Sequence, residues 1–257
     1  MRSDGGRAVV VGWGVAVCVA LDALAGCERE PPPVSAPSAV SFVERVAPPR
    51  RAGEGAPPLL VLLHGIGADE HDLFPIASML DPRLHVVSLR APHGYAVGHA
   101  WFDIQFGPGG IRPDLAQARQ ALADLVAWLR AAPERHGTDP NRTHLLGFSQ
   151  GAMMSLGVLG TVPERLAGVV ALSGRNAEGL FPATASVSDI ARVPLLVAHG
   201  TYDDLLPVEN GRAIRDAFQA VSTDFTYREF PVAHGVSEDE IAFVGAWLRE
   251  RLDREAP

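Results

Sequence analysis

The chain has 257 residues, of which 47% are hydrophobic and 20% are charged, a composition that suits one globular domain with a sizeable core. Its formal net charge is −8 and it contains no run of Lys or Arg, which argues against nucleic acid as a partner. No internal repeat and no Cys/His cluster with metal-ligand spacing is evident, so the sequence predicts neither a metal site nor an organic cofactor.

The first 27 residues have the pattern of an export signal. A short polar start with two arginines precedes residues 8–25, which are mostly apolar, as in a secretory signal peptide. The segment ends in Leu24-Ala25-Gly26-Cys27, which resembles the bacterial lipobox and implies cleavage before Cys27 and lipid on that cysteine. Cleavage after Ala25 by an ordinary signal peptidase fits the same residues. We therefore expect an exported protein, anchored to a membrane on its periplasmic or cell-surface side or, alternatively, secreted in soluble form.

A linker is predicted between this signal and the domain. Residues 28–57 are rich in Pro, Ala, Ser and charged side chains, which favour an extended, solvated chain. One alternating piece near 40–46 predicts an edge strand. The two cysteines of the chain are Cys18 and Cys27, so we expect a mature domain without a disulfide or a thiol nucleophile.

From residue 58 to residue 257, short apolar runs alternate with amphipathic stretches. The runs at 59–63, 85–89, 143–146, 168–172 and 194–198 predict parallel strands covered on both faces, and the alternating run at 225–230 predicts a strand near the sheet edge. Helical periodicity around 114–132, and a capping box of Ser237 and Glu240 before an apolar face, predict helices. The alternation predicts an α/β fold with a mostly parallel central sheet, helices on both faces, and a ligand at the carboxyl ends of the strands.

The most informative motif is Gly147-Phe148-Ser149-Gln150-Gly151, between a predicted strand and an apolar stretch of helical character. In this G-x-S-x-G context the serine is held on a tight, strained turn, and the glycines let strand and helix backbones pack closely. Three fixed positions recur by chance, so the motif needs partners. Acyl transfer by serine requires a base, a carboxylate that orients the base, and N–H donors for the developing oxyanion.

Candidates for these groups lie in loops after other apolar runs. Asp203 follows the strand predicted at 194–198, and His234 precedes the last predicted helix, so the chain order is Ser, Asp, His, as in α/β-hydrolases. The backbone amides of Ile66 and Gln150 are candidates for the oxyanion hole. Asp204 adjoins Asp203 and is the alternative carboxylate.

Taken together, these motifs resemble the phospholipase/carboxylesterase branch of the α/β-hydrolases, which includes acyl-protein thioesterases. The resemblance covers about residues 57–252 and rests on residues 63–73, 101–104, 147–152, 199–203 with Pro207, and 234–235. It implies an α/β-hydrolase fold, a triad of Ser149, Asp203 and His234, and oxyanion N–H groups from Ile66 and Gln150. The chain departs from the family in its exported N-terminus and in Asp204, where the family often has proline.

The leading functional hypothesis is a cofactor-independent serine hydrolase that cleaves small-molecule or lipid carboxylic esters through an acyl-enzyme intermediate. The alternative is a lysophospholipase or acyl-thioesterase acting on long acyl chains, for which residues 91–112 are the candidate flexible cover. A third hypothesis is a non-catalytic lipoprotein that binds a ligand.

The sequence also predicts roles for four other side chains near the motifs. Trp101 and Phe102 are candidates for the acyl pocket and, equally, for core aromatics. His64 and His199, each at the end of a predicted strand, are expected to shape their loops through hydrogen bonds.

Overall fold

The structure, a computed structural model, describes residues 41–48, 55–107, 110–176 and 179–254. The predicted signal peptide, Cys27 and most of the 28–57 linker lie outside these ranges, so export and lipid attachment stay predictions. The strands, in chain order, are β1 (Phe42–Arg45), β2 (Leu59–Leu63), β3 (His85–Leu89), β4 (His93–Tyr95), β5 (Gly98–Ala100), β6 (Ile104–Gly107), β7 (Gly110–Pro113), β8 (Thr143–Phe148), β9 (Gly168–Leu172), β10 (Leu195–Gly200) and β11 (Phe225–Phe230). The helices are α1 (Leu115–His136), α2 (Gln150–Leu159), α3 (Val187–Ala191), α4 (Glu209–Phe218) and α5 (Glu238–Arg254), with 3₁₀ segments at Phe74–Met79 and Pro163–Arg165.

Seven strands form one sheet in the spatial order β1-β3-β2-β8-β9-β10-β11, and the others form two short hairpins, β4-β5 and β6-β7. β1 pairs antiparallel with β3 at one edge, and the other six strands of the sheet run parallel. This arrangement confirms the mostly parallel sheet predicted from the apolar runs. The carboxyl ends of the parallel strands lie on one side of the sheet, where a ligand site is expected.

Two apolar layers sandwich this sheet. On β2, Leu59, Val61 and Leu63 belong to a layer that includes α1 and α2, whereas Leu60 and Leu62 belong to a layer that includes α5 and the first 3₁₀ segment. All five side chains are fully buried, because helices cover both faces of the strand. Burial of each such side chain stabilises the fold by about 2–3 kcal/mol, so the central strands are the rigid part of the domain.

β1, at the edge of the sheet, lies where the sequence predicted an edge strand near residues 40–46, within the 28–57 segment. β1 pairs with β3 there, and the Arg45 guanidinium donates to the carbonyl oxygens of Ala77 at 2.6 Å and Asp81 at 3.0 Å. The strand is therefore fastened both to the sheet and to the end of the first 3₁₀ segment.

Some helices differ from the sequence pattern. α1 starts after Asp114, whose carboxylate accepts from the amides of Ala116 and Gln117, and it continues past Pro133 to His136. α4 was not predicted, because only Gly211 and Ile214 of its ten residues are buried and its apolar face is correspondingly narrow. Within the described part of the chain, no helix combines the length and the apolarity needed to span a bilayer.

A buried carboxyl group lies in the first turn of α5. The amide of Glu240 donates to the Ser237 hydroxyl at 3.2 Å, which is one half of the predicted capping box. The Glu240 side chain is fully buried, and among the described residues neither of its oxygens has a hydrogen-bonding partner at normal distance. Burial raises the pKa of Glu240 to about 7, although the backbone of Ser237 and the charge on His199 act in the opposite direction.

The raised pKa predicts a pH-dependent cost to the fold. The folded state holds this proton more tightly than the unfolded chain, in which the carboxyl has a pKa of 4.5. Ionisation of Glu240 therefore lowers the free energy of unfolding, by nothing below pH 4.5 and by an amount that grows until about pH 7. At about 1.4 kcal/mol per pKa unit, the cost reaches about 3 kcal/mol above neutrality. We expect the stability of Glu240→Gln relative to wild type to increase by up to this amount between pH 5 and pH 8, as measured by urea unfolding.

Glu238→Gln is the matched control, because Glu238 lies on the same helical turn but is exposed. Its stability relative to wild type should change little over the same pH range. If the difference in unfolding free energy between Glu240→Gln and wild type is the same at pH 5 and at pH 8, the raised pKa of Glu240 is contradicted.

Candidate active site

Ser149 occupies a strained turn between β8 and α2. Its backbone has φ 54° and ψ −115°, a conformation that a residue with a side chain rarely adopts. A methyl group on Gly147 would overlap with the carbonyl oxygen of Gly151, and one on Gly151 would overlap with the carbonyl oxygen of Leu63. Glycine is therefore required on both sides of the serine, since α2 passes directly against the ends of β8 and β2.

The structure brings Ser149, His234 and Asp203 together at the carboxyl ends of the strands. Nε2 of His234 lies 2.9 Å from the Ser149 hydroxyl oxygen, and Nδ1 lies 2.7 Å from Oδ2 of Asp203. In this arrangement Nδ1–H donates to the carboxylate, and Nε2 is left to accept the serine proton. The three groups form a continuous hydrogen-bonded chain, although Ser149 and His234 are 85 residues apart in sequence.

The Asp203 carboxylate is buried but extensively hydrogen-bonded. Oδ1 accepts from the amides of Leu205 at 3.1 Å and Leu206 at 2.8 Å, while Oδ2 accepts from His234 and lies 3.4 Å from Nε2 of His199. Burial alone would raise its pKa, but His199, His234 and the Leu206 amide together hold the pKa of Asp203 well below its usual value. The group is therefore ionised at neutral pH.

Asp204, the alternative carboxylate, is exposed. The geometry therefore favours Asp203 as the partner of His234.

Two buried histidines shape the loops of the site. Nδ1–H of His64 donates to the Gly65 carbonyl at 2.7 Å, and Nε2 accepts from the Ala91 amide at 3.0 Å. Burial lowers the pKa of His64 to about 4, so the ring is neutral. Nε2 of His199 lies 2.7 Å from the Leu206 carbonyl, and burial, which lowers its pKa, is outweighed by Asp203 and by that carbonyl, so that the pKa is raised.

The predicted oxyanion donors flank the serine. Gln150 is the first residue of α2, where backbone N–H groups have no partner within the helix and carry the positive end of its dipole. Ile66 lies in the turn after β2, and a Cβ on its neighbour Gly65 would be 3.2 Å from Cβ of Ser149. In the described part of the chain, neither amide donates to another backbone group. Both are therefore available to an oxyanion beside Ser149.

A hairpin braces the loop that contains Ile66. The Gly67 amide donates to the His99 carbonyl, and the His99 amide donates to the Ala68 carbonyl, both at 2.7 Å. A side chain on Gly98 would overlap with the Gly67 carbonyl oxygen, so the hairpin β4-β5 fits closely against this loop. Gly98 and His99, which make these contacts, belong to residues 91–112, the segment predicted as the candidate flexible cover.

Trp101 and Phe102 are buried in the core beside the site. The Gln150 carboxamide joins both to the serine turn, because its oxygen accepts from the Trp101 amide and its nitrogen donates to the Phe102 carbonyl, each at 2.7 Å. The Trp101 indole N–H donates to the His64 carbonyl at 2.9 Å. Both aromatic residues thus support the loops, and neither lines the cleft described next.

An apolar cleft of about 500 Å³, counted with its open mouth, lies beside the triad. Phe148 and Gly235, the sequence neighbours of Ser149 and His234, line it, whereas Ser149, Asp203 and His234 themselves do not. The centroid of the Phe148 ring lies 5.0 Å from that of the His234 ring. The apolar side chains along it are Leu73, Ile76, Met79, Val236 and Ile241. The sequence motifs did not indicate this cleft, since its walls come from a 3₁₀ segment and from the start of α5.

Asp72 is one of the residues that line this cleft. Burial, together with the nearby charge of Asp69, raises the pKa of Asp72 to about 6. Asp72 and Leu73 belong to residues 63–73, one of the segments that carry the family resemblance, but nothing in that segment indicated a cleft.

The chain is similar to esterases in both sequence and structure. It is 31% identical to esterase YpfH of Escherichia coli over 175 residues, which cover 65% of the chain and 71% of that protein. It is 24% identical to carboxylesterase SOBER1 of Arabidopsis thaliana over 213 residues, covering 75% of the chain and 90% of the relative. Acyl-protein thioesterase 1 of Saccharomyces cerevisiae is 27% identical to the chain over 177 residues, which cover 66% of the chain and 75% of that protein.

Solved structures agree with the fold. The crystal structure of esterase PE8 superposes with a TM-score of 0.69 at 30% identity, covering 82% of this chain and 98% of that one. The Bacillus cereus carboxylesterase has a TM-score of 0.70 at 19% identity, with 84% and 96% covered, and supports the fold alone. The α/β-hydrolase fold is thereby confirmed. The family model described as Phospholipase/Carboxylesterase matches residues 45–252, and the chain belongs to this family.

Proposed function

We propose that the protein is a carboxylesterase in which Ser149 is the nucleophile, His234 the general base and Asp203 the residue that orients the base. The observation that carries the proposal is the hydrogen-bonded chain from the Ser149 hydroxyl through His234 to Asp203, at 2.9 Å and 2.7 Å. Membership of an ester-hydrolysing family supports it independently.

The first half of the reaction forms an acyl-enzyme. The Ser149 oxygen attacks the ester carbonyl carbon while its proton moves to Nε2 of His234, and the carbonyl oxygen becomes an oxyanion held by the amides of Ile66 and Gln150. The bond to the leaving alkoxide then breaks, and His234 returns the proton to that oxygen. The ionised Asp203 stabilises the imidazolium between the two proton transfers.

The second half releases the acid. Water donates a proton to His234 and attacks the acyl carbon, and the tetrahedral intermediate collapses with the proton returning to the Ser149 oxygen. The products are an alcohol and a carboxylic acid, and the enzyme regains its starting state.

The apolar cleft beside Ser149 supports an uncharged acyl group as the part of the substrate that the enzyme binds. The second candidate function, hydrolysis of long-chain acyl esters or thioesters, is favoured by the same lining and by relatives named acyl-protein thioesterase 1. A purely ligand-binding role is disfavoured, because a binding protein does not need the three aligned groups.

Replacement of the nucleophile is the direct test. We expect Ser149→Ala to lower kcat for p-nitrophenyl butyrate by roughly 10⁴-fold or more, because the remaining groups cannot form the acyl-enzyme. A serine-directed fluorophosphonate probe should label the wild type and not the variant. The control is Ser188→Ala, an exposed serine in α3, which should keep both turnover and labelling. Turnover that survives in Ser149→Ala would exclude this mechanism.

The two adjacent aspartates provide a matched pair. Asp203→Asn should lower kcat by roughly 10⁴-fold, because an amide can donate to Nδ1 and thereby stabilise the wrong imidazole tautomer. Asp204→Asn changes the same chemical group one residue along, on an exposed side chain, and should leave kcat within about threefold of wild type. The reverse ranking of the two variants would assign the role to Asp204.

A series of p-nitrophenyl esters of increasing acyl length separates the two candidate functions. Each methylene that the cleft buries contributes about 0.8 kcal/mol, or about fourfold in kcat/KM. A maximum at or below about eight carbons is expected for the carboxylesterase, since that function requires burial of a short acyl chain only. A rise that continues well beyond that length would favour the long-chain alternative.

A further inference from the structure

Three side chains that the esterase chemistry does not use meet near the amino ends of the parallel strands. This is the end of the sheet opposite Ser149, Asp203 and His234. They are Glu44 of β1, His85 at the start of β3, and His136 in the last turn of α1. Oε2 of Glu44 lies 3.1 Å from Nε2 of His85 and 2.9 Å from Nδ1 of His136. One ligand atom from each residue lies within 4.8 Å of the others.

The donor atoms are those that zinc prefers. Imidazole nitrogen and carboxylate oxygen bind Zn²⁺ at about 2.0–2.2 Å, and two ligands of a tetrahedral ion are then about 3.3 Å apart. The two separations from the Glu44 oxygen are shorter than this by only a few tenths of an ångström. The three ligand atoms lie within 4.8 Å of one another, so binding of the ion requires side-chain rotation, for which the partly exposed Glu44 has the most freedom.

The surroundings also suit a metal ion. The side chains of His85 and His136 are each 4% exposed, so the two imidazoles are held in place and largely shielded from water. The rings of Phe42 and Trp128 pack against His136 and form an apolar wall around the cluster. Glu44 is 36% exposed, which leaves an access route for the ion and space for water as a fourth ligand.

Without an ion, a single carboxylate oxygen serves both imidazoles. Nε2 of His85 and Nδ1 of His136 both face Oε2 of Glu44, so the three potential ligand atoms already converge on one point.

We propose that Glu44, His85 and His136 bind one Zn²⁺ ion, with water completing a tetrahedral site, and that the ion fastens β1 to β3 and α1. His85 and His136 lie 41 and 92 residues after Glu44 in sequence, so the ion cross-links distant parts of the chain. Such a cross-link stabilises the folded state, because the unfolded chain cannot present the three ligands together.

The test uses the full chain after treatment with a chelator. Binding of ZnCl₂ at pH 7.5 is measured by isothermal titration calorimetry, and thermal unfolding is measured at increasing Zn²⁺ concentrations. We expect one ion per chain, a Kd in the micromolar range or tighter, and a Tm that rises with Zn²⁺. His136→Gln and Glu44→Gln should each weaken binding at least tenfold. His71→Gln is the matched control, since His71 is 65% exposed and away from the cluster, and it should bind as wild type does.

Hydrolysis of p-nitrophenyl butyrate reports whether each variant is folded, because the triad lies at the other end of the strands. If His136→Gln is inactive and therefore unfolded, Glu44→Gln decides, since that side chain is partly exposed and its replacement is isosteric. Absence of Zn²⁺ binding by the wild type would overturn the proposal. So would binding that Glu44→Gln leaves unchanged, or binding that His71→Gln removes.

Discussion

The close approach of α2 to the ends of β8 and β2 is the constraint on which the site depends. Backbone atoms of Leu63 and Gly151 lie so near each other that no side chain fits between them, and Ser149, two residues before Gly151, has a positive φ. Such strain costs on the order of 1–3 kcal/mol and persists only where the surroundings over-determine it. Here the surroundings are the central strands, whose side chains are completely buried.

Around this turn, a layer of buried polar groups holds the loops in register. His64 connects the end of β2 to the end of β3, Gln150 connects the serine turn to Trp101 and Phe102, and His199 lies between Asp203 and Leu206. Each group makes its contacts with backbone atoms or with the Asp203 carboxylate. Ser149, Asp203 and His234 are thus positioned by the fold itself, as the proposed catalysis requires.

Much of this organisation could be predicted from sequence, and the rest could not, for definable reasons. The central strands have apolar residues on both faces, so their positions were evident, and the order of Ser149, Asp203 and His234 indicated a hydrolase. The hairpins β4-β5 and β6-β7 are too short for a periodic signal, and α4 has a narrow apolar face. The cleft wall and the cluster of Glu44, His85 and His136 arise only when distant segments meet, which spacing along the chain does not reveal.

The fit of the hairpin β4-β5 against the loop of residues 64–69 has a consequence for protein engineering. Gly98 and Gly67 are in backbone contact, and His99 pairs with the same loop through two hydrogen bonds. Neither segment can be exchanged alone for that of a relative without breaking this match. A chimaera that aims at new selectivity must transplant residues 64–69 and 93–100 as one module, and library design should treat them as a single inherited unit.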